Sequence, residues 1–401
     1  MYAHHPGRRA RVSASVMTTV RRFSGRVADQ LFVLCRTADG GSDPVRQAEA
    51  TYDALREALA AEGASPDAVF SETVFLRRVR DADVARSARS HVFGDRGVQP
   101  ATTVIGQPPL DDAAELCVAA IAVVPRAPGS STHEVRRDVA CPCTGCASGV
   151  RARVVRLGAQ TSLWSGNVYG SGATAVEEAY DMFRIAEGLV ADAGMRFGDV
   201  IRTWIHVRDI DRDYDALNQA RSDFFRHHGI ERLPASTGVQ GIPPSDAHAF
   251  SLSLYAVKSD RPLDVAIMST PSLNEASSYG AHFSRGLRVA DANQVTLYVS
   301  GTASVDEAGL TVAPGDFAAQ VDRMLHNIAS LLGQQGARFG DVVAGVTYLK
   351  NASDAPALRA MFRTRGFEGF PCALVQAPLC RSTLLCEAEV VAVLSLATAG
   401  A

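Results

Sequence analysis

The stretch Gly336-Ala337-Arg338-Phe339-Gly340-Asp341-Val342 decides the fold, because similar stretches occur at two earlier places in the chain. The second copy reads Gly194-Met195-Arg196-Phe197-Gly198-Asp199-Val200, and a more divergent copy reads Gly63-Ala64-Ser65-Pro66-Asp67-Ala68-Val69. Each copy begins with a glycine, which readily ends a helix in the left-handed conformation, and leads into an apolar segment. The copies start at residues 63, 194 and 336, spacings of 131 and 142 residues, which are too long for a solenoid and indicate tandem domains.

The segments around each copy predict the same order of elements. Apolar residues recur every three or four positions between Phe317 and Leu332, which predicts an amphipathic helix, and equivalent helices are predicted at about 43–62 and 175–193. A strand follows each glycine, at Val69–Leu76, Val200–Val207 and Val342–Leu349. The remaining predictions are second helices near 84–93, 214–228 and 354–364, and closing strands at Leu116–Val124, Phe250–Val257 and Leu385–Leu394.

With a strand pair ahead of its first helix, each unit reads ββαβαββ, a two-layer α+β sandwich with both helices on one face of the sheet. Three such sheets packed around an axis would bury their open faces in a pseudo-trimer and leave clefts between neighbouring units. The predicted boundaries are a disordered extension over 1–22, a structural first unit over 23–126, a Cys-containing linker over 127–155, a second unit over 156–258, a linker over 259–285 and a third unit over 286–397.

The bulk composition excludes several classes of protein. The chain has 401 residues, 47% hydrophobic and 21% charged, with a formal net charge of −3, which is typical of a soluble globular protein and argues against a nucleic-acid-binding surface. No apolar run reaches the roughly 18 residues that suggest a membrane span. Eight cysteines scattered over this length do not resemble a secreted disulfide framework, so we expect a cytoplasmic protein.

The segment Cys141-Pro142-Cys143-Thr144-Gly145-Cys146, with His133 ahead of it, is a place where zinc binding could be considered. A structural zinc site normally has a second ligand pair at a matching distance, and none is evident in the sequence. A metal site and a disulfide are therefore alternatives to an inert linker, and we predict no metal site.

The segment Cys380-Arg381-Ser382-Thr383-Leu384-Leu385-Cys386-Glu387-Ala388-Glu389 places two acids on an apolar strand. Such strands usually exclude carboxylates unless these are paired or functional. Glu387 corresponds to about Cys117 and Ser251 in the other units, so the scaffold does not require an acid there. Glu387 and Glu389 share one face of the strand, and their repulsion can raise one pKa to give a protonated acid near neutral pH. The alternative is a rim carboxylate that faces solvent or an arginine.

The repeated unit resembles the YjgF/RidA superfamily, whose members are trimers with sites between subunits. The second and third units resemble, more narrowly, the chorismatase family, which hydrolyses chorismate with loss of pyruvate. The resemblance spans roughly 155–395 and is carried by Arg202-Thr203-Trp204, Leu233-Pro234-Ala235-Ser236-Thr237-Gly238, Phe283-Ser284-Arg285, Val299-Ser300-Gly301-Thr302-Ala303-Ser304, and Cys380-Arg381-Ser382 with Leu384, Leu385, Glu387 and Glu389.

The resemblance implies roles for three residues near the acidic pair. Glu387 matches the family's proton donor. Cys380 matches a cysteine that marks members producing 3-hydroxybenzoate, although most free cysteines are simply small buried hydrophobes. Gly241, as a small residue, would leave room in the pocket and so would also be compatible with the formation of 3-hydroxybenzoate. The resemblance also implies that no metal or organic cofactor is required.

Further residues are candidates for substrate binding. Arg202, Arg285 and Arg381 could clamp the two carboxylates of chorismate, since guanidinium groups suit carboxylates, or each could form a surface salt bridge. Asn167 and Tyr169 follow a predicted hairpin and could donate hydrogen bonds to ring hydroxyls.

One position separates the two family resemblances. YjgF/RidA deaminases hold a substrate carboxylate with an arginine fifteen residues before the strand glutamate. The matching positions here are Cys372, Ser236 and about Thr102, and none is arginine. An imine deaminase of the usual kind is therefore disfavoured.

We therefore predict a cofactor-independent enzyme that releases pyruvate from chorismate and leaves 3-hydroxybenzoate or 3,4-dihydroxycyclohexa-1,5-diene carboxylate. The alternatives are a YjgF/RidA-type deaminase or a lyase acting on an amino analogue of chorismate, and a non-catalytic small-molecule binder. Because a pseudo-trimer closes its own ring, we expect a monomer or weak dimer, with no nucleic-acid or membrane partner.

Overall fold

The computed structural model describes residues 15–39, 43–94, 97–126, 130–137, 150–274 and 282–396. Three separate sheets are present in these ranges, and each is accompanied by two helices in the order ββαβαββ, with one additional strand ahead of this order in the second and third units. The predicted α+β class and the three tandem units are confirmed.

The helices and strands of the three units have the following bounds. The first unit comprises β1 (Ser15–Ser24), β2 (Ala28–Asp39), α1 (Pro44–Ala61), β3 (Val69–Leu76), α2 (Ala82–Phe93), β4 (Ala101–Gly106) and β5 (Leu116–Pro125). The second comprises β6 (Ser131–Arg137), β7 (Val150–Leu157), β8 (Gln160–Val168), α3 (Ala175–Asp192), β9 (Val200–Val207), α4 (Ile210–His227), β10 (Ala235–Gln240) and β11 (Phe250–Ser259). The third comprises β12 (Asp264–Ile267), β13 (Gly286–Ala290), β14 (Gln294–Ala303), α5 (Phe317–Gly333), β15 (Val342–Leu349), α6 (Ala355–Arg365), β16 (Cys372–Gln376) and β17 (Cys386–Ser395).

The three sheets share one topology. Their strand orders are β1-β2-β5-β3-β4, β10-β9-β11-β8-β7-β6 and β12-β13-β14-β17-β15-β16. The pairs β3–β4, β9–β10 and β15–β16 are parallel, and α2, α4 and α6 supply the crossover that each parallel pair requires. β3, β9 and β15 therefore occupy equivalent places, and we call them the central strands.

The repeated stretch has the same local structure in the second and third units. Gly336 has a φ of 73° just after α5, a conformation that glycine adopts without steric cost. Asp341 then accepts a hydrogen bond from the backbone N–H of Arg338 at 2.9 Å, which closes a short 3-10 turn and directs the chain into β15. Gly194 and Asp199 repeat both features ahead of β9.

Several predicted boundaries are corrected. Residues 15–22 belong to β1 and are not part of a disordered extension. The segments predicted as linkers contain strands, because β6 lies within 127–155 and pairs with β7, and β12 lies within 259–285 and pairs with β13. α4 begins four residues before its predicted start. The cysteines of the 141–146 segment lie outside the described residues.

Neighbouring units pack through the edge strand of one and the hairpin of the next. β4 packs on β8, and β10 packs on β14, where the backbone N–H of Ser236 donates to Ser300 Oγ at 2.8 Å. Val375 of β16 forms an isolated β-bridge with Pro109 of the first unit, which closes the ring. The pseudo-trimer therefore contains three related boundaries between units.

The strand register confirms which residues are equivalent in the three units. The seventh residue of each central strand pairs with the closing strand as Phe75 with Cys117, His206 with Ser251, and Tyr348 with Glu387. The fourth residue pairs with the edge strand as Glu72 with Thr102, Thr203 with Ser236, and Gly345 with Cys372. Both sets of equivalences predicted from the sequence are correct.

The first and second units pack closely at Gly166, and a substitution there can test this contact. A methyl group on Gly166 of β8 would overlap the carbonyl oxygen of Thr102. We expect Gly166→Ala to lower the free energy of unfolding by about 1–3 kcal/mol, since backbone must move to relieve the overlap, and to lower the midpoint of thermal denaturation measured by circular dichroism. Gly198→Ala is the control, because the space around Gly198 is open. Equal midpoints for the two variants would contradict this packing.

Candidate active site

A pocket of about 270 Å³ lies at the boundary between the second and third units. α4 and β10 contribute one side, and β14 with the segment around β17 contributes the other. The lining residues are Tyr214, Asp215, Asn218, Arg221, Ser236, Gly238, Phe283, Arg285, Gly301, Ala303, Val305, Cys380, Arg381, Leu384 and Glu387. Four residues predicted from the sequence, Glu387, Cys380, Arg381 and Arg285, are therefore brought together.

Glu387 is a buried acid whose carboxyl group faces this pocket, with 5% of its surface exposed. Burial is the largest cause of a rise in the pKa of Glu387 to about 8, and the nearby Glu389 carboxylate adds to it. The guanidinium groups of Arg285, Arg202 and Arg381 oppose this rise. Glu387 is therefore mostly protonated at neutral pH and can donate a proton.

Glu389 is held differently, by donors of the second unit. Arg202 Nη2 donates to Glu389 Oε2 at 2.6 Å, and Trp204 Nε1 donates to Glu389 Oε1 at 2.7 Å. Among the described residues, no side chain or backbone group forms a hydrogen bond with the Glu387 carboxyl group. The two acids of the strand are therefore placed in contrasting environments, one ion-paired and one poised toward the pocket.

Gly301 of β14 provides the space that the Glu387 carboxyl group occupies. A methyl group at this position would overlap Glu387 Oε1. The backbone N–H of Gly301 donates to Thr237 Oγ1 at 2.9 Å, which fixes β14 against β10 at this point. A side chain larger than hydrogen at residue 301 would displace the acid.

The pocket has a cationic wall. Arg285 is 5% exposed, and its Nε donates to the carbonyl oxygen of Asn274 at 2.9 Å. Arg221 and Arg285 each lie with their guanidinium carbon 5.6 Å from the ring centroid of Phe283. Arg381 Nη1 donates to the carbonyl oxygen of Gly309. Arginines fixed in this way suit the carboxylates of a small anionic ligand.

Cys380 lies where the hydrophobic cores of the second and third units meet. Burial, followed by the charge of Glu387, raises the pKa of the Cys380 thiol to about 12. The thiol is therefore neutral, and a neutral thiol is a poor nucleophile.

Four of the predicted site residues lie elsewhere. Arg202 is 2% exposed and pairs with Glu389 behind the pocket wall, so it is not placed as a substrate clamp. Asn167 exchanges hydrogen bonds with the backbone of Val104 in the boundary between the first and second units. Tyr169 stacks on a histidine outside the pocket. Gly241 lies at the boundary between the first and second units, near Ile105 and His206. The nearby glycine that lines the pocket is Gly238.

Sequence reasoning missed the contribution of α4. Tyr214, Asn218 and Arg221 lie at spacings of four and three, so they share one helix face, and that face borders the pocket. Arg221 is 3% exposed and its Nη2 donates to Asn218 Oδ1 at 2.6 Å. A polar stripe on an otherwise amphipathic helix was the available signal.

Within the described ranges, no group of three His, Cys, Asp or Glu side chains could hold a metal ion. No helix among the same residues is long and apolar enough to span a membrane.

Comparison with known proteins supports the architecture. Residues 276–394 match the family model described as Endoribonuclease L-PSP. A crystal structure of a chorismatase is similar over 92% of this chain and 99% of its own, with a TM-score of 0.62 and 16% sequence identity. The chain has the chorismatase fold. The likeness spans all three units, so the resemblance predicted from the sequence is confirmed for the fold.

Single-domain structures match smaller parts of the chain. A RidA structure from an Antarctic Psychrobacter covers 32% of this chain and 99% of its own, with 22% identity and a TM-score of 0.27. A putative endoribonuclease L-PSP from Entamoeba histolytica covers 33% of this chain and 100% of its own, with 20% identity and a TM-score of 0.28. No curated protein matches the chain.

The raised pKa of Glu387 predicts a dependence of stability on pH. A carboxyl group whose folded pKa lies above its unfolded value binds a proton preferentially in the folded state, so stability falls as pH rises from about 4.5 to about 8. We expect Glu387→Gln to remove this loss, so that its melting temperature relative to the wild type increases across this range and levels off above it. The measurement is thermal denaturation at closely spaced pH values.

The exposed acid Glu368 supplies a matched control. Glu368→Gln should leave the pH dependence of the melting temperature unchanged. Parallel curves for Glu387→Gln and the wild type would show that the Glu387 pKa is not raised.

Proposed function

We propose that the protein is a chorismatase-type enzyme that cleaves the enolpyruvyl ether of chorismate and releases pyruvate. The observation that carries this proposal is a buried acid, Glu387, whose pKa is raised to about 8 by burial and which faces a pocket with several arginines. Chorismate is a small dicarboxylate whose ether is broken by acid. The chorismatase fold of the whole chain is consistent with this activity.

Glu387 would supply the proton for the difficult step. Protonation of the terminal methylene carbon of the enolpyruvyl group turns the ether into an oxocarbenium ion. Attack of water on that ion gives a hemiketal, which breaks down to pyruvate and the dihydroxycyclohexadiene acid, with one water consumed. Proton transfer to carbon is slow, so an acid positioned close to the methylene group has a large effect on the rate.

The arginines of the pocket would hold the substrate. Arg285 and Arg381 are two of its cationic groups, and Arg221 adds a third from α4. Bidentate guanidinium contacts with the two carboxylates would orient the methylene carbon toward Glu387. Arg202 would act indirectly, by holding Glu389 in place.

Cys380 would favour 3-hydroxybenzoate as the product. In this route a ring hydroxyl attacks the oxocarbenium ion in place of water, and the ring then becomes aromatic. The products 3-hydroxybenzoate and pyruvate together contain all the atoms of chorismate, so no net water is consumed. A neutral, weakly polar thiol beside Glu387 suits a site that keeps attacking water away from the ion.

The deaminase alternative is less well supported. The positions equivalent to the deaminase arginine are Thr102, Ser236 and Cys372, and of these only Ser236 lines the pocket. We therefore infer pyruvate release and not ammonia release as the chemistry of this site.

Turnover of chorismate by a Glu387→Gln variant tests the mechanism. We expect kcat/KM, followed as pyruvate with a coupled lactate dehydrogenase assay, to fall by about 10²–10⁴-fold, because glutamine cannot donate the proton. For the wild type, kcat/KM should decline above about pH 8 as Glu387 ionises. Glu368→Gln should retain wild-type turnover. Full activity of Glu387→Gln, or ammonia from imine substrates with no pyruvate from chorismate, would refute the proposal.

A Cys380→Ala variant tests the choice of product. We expect the wild type to form 3-hydroxybenzoate and Cys380→Ala to shift the product toward the dihydroxycyclohexadiene acid, because a smaller wall group admits water. Mass spectrometry separates the two acids by the mass of one water. Cys386→Ala is the control, since Cys386 is buried in the core and does not line the pocket. An unchanged product ratio in Cys380→Ala would exclude this role.

A further inference from the structure

A second cavity, of about 120 Å³, lies where the three sheets meet. Its wall includes the third, fifth and seventh residues of every central strand: Ser71, Thr73 and Phe75; Arg202, Trp204 and His206; Ala344, Val346 and Tyr348. Equivalent residues of all three units therefore converge on it. We call this space on the pseudo-threefold axis the axial cavity.

The three units contribute unequally to this cavity. At the third position of the central strand, the second unit presents Arg202, whereas the other units present the small residues Ser71 and Ala344. A strictly symmetric ring of large side chains would fill the axis. The small residues leave open space beside the arginine.

Two polar atoms on this wall have no partner. Arg202 Nη1 and His206 Nδ1 are buried and make no hydrogen bond to any part of the chain that the structure describes. Arg202 is 2% exposed and His206 is 3% exposed, and both line the cavity. Buried polar groups are nearly always satisfied, so two orphan groups at one cavity indicate a missing acceptor or donor.

The charges around the cavity restrict what could bind there. The Arg202 charge is already balanced by the Glu389 carboxylate at 2.6 Å. Burial lowers the pKa of His206 to about 4, so its imidazole is neutral. A charged molecule would add an unbalanced charge to a buried site, which is costly.

We propose that the axial cavity is a binding site for a small neutral molecule, up to about the size of one benzene ring, that carries a hydrogen-bonding oxygen at one end. The oxygen would accept from Arg202 Nη1 and pair with His206 Nδ1. The body of the molecule would contact apolar wall residues such as Phe32, Phe75 and Leu254. Cavities of this size lined by apolar side chains are known to take up benzene-sized molecules.

Water alone fits this cavity less well. A buried water needs two to four polar partners, and the two orphan groups both come from β9. The rest of the wall is mixed, because Phe75 and Val346 are apolar and Ser71, Thr73 and Thr103 carry hydroxyl groups, of which Thr103 already pairs with Ser253 at 2.6 Å. The two orphan groups therefore lie on one side of the cavity, which suits a molecule with one hydrogen-bonding end and an apolar body.

The chain carries its own reporter for this site. It contains two tryptophans, Trp164 and Trp204, and both line the axial cavity. The experiment is a titration of the full-length protein with phenol, following tryptophan emission excited where phenol does not absorb. Toluene serves as the comparison, because it has the same shape without the oxygen.

We expect phenol to cause a saturable change in emission and toluene to bind about tenfold more weakly, since it cannot satisfy the orphan groups. Ser71→Val fills the space opposite Arg202 and should weaken phenol binding at least tenfold. Thr73→Val changes a neighbouring wall residue at nearly constant volume and should leave phenol binding intact.

Three results would overturn the proposal. They are the absence of a saturable change with phenol, equal affinities for phenol and toluene, and phenol binding to Ser71→Val that equals binding to the wild type. If circular dichroism shows that Ser71→Val does not fold, the comparison of phenol with toluene on the wild-type protein decides the question by itself.

Discussion

The buried ion pair between Arg202 and Glu389 is the interaction on which the site depends. It joins a central strand of the second unit to the closing strand of the third, with both side chains removed from solvent. Burial lowers the pKa of Arg202 and the charge of Glu389 opposes that effect, so each group compensates the other. Removing one partner of such a pair leaves an uncompensated buried charge and typically costs about 3–5 kcal/mol. The pair therefore holds Glu389 of the third unit against the central strand of the second.

This pair also separates the roles of two acids that are neighbours on one strand face. Glu389 accepts hydrogen bonds from Arg202 and Trp204, which suit a carboxylate. The pKa of Glu387, two residues away, is raised by burial and by the charge of Glu389. Two identical side chains thus acquire different tasks from their surroundings, as in other sites that set one carboxyl group apart from another.

The sequence predicted the repeated elements well, because their signals are local. Helical periodicity and the glycine stops located the central strands to the residue. The same local reasoning missed β6 and β12, which are short strands at sheet edges without a strong apolar pattern. It also predicted Glu387, Cys380, Arg285 and Arg381, which line one pocket, since an acid in an apolar strand and the family-like segments stand out in the sequence.

The misplaced residues were those whose position depends on a neighbour in another unit. The sequence predicts Arg202 as a substrate clamp because its partner is distant in the chain. In the structure Arg202 pairs with Glu389, which lies 187 residues later. Asn167 follows Gly166 as Thr302 follows Gly301 in the next unit. The Asn167 side chain, however, accepts a hydrogen bond from the backbone N–H of Val104 in the first unit. No local pattern reveals which boundary a side chain will face, because all three units present similar edges.

The equivalent glycines of the two hairpins show how one scaffold yields one catalytic candidate. At Gly166 the backbone of Thr102 fills the space beside the glycine, so the first boundary is closed by the chain itself. At Gly301 the corresponding space is occupied by the Glu387 carboxyl group, which belongs to the closing strand of the same unit. The glycine is needed in both places for close approach, but only at the second boundary does the approaching group carry a proton. The closing strand of the second unit has Ser251 at the position of Glu387, so the two boundaries differ on the closing strand and not at the glycine.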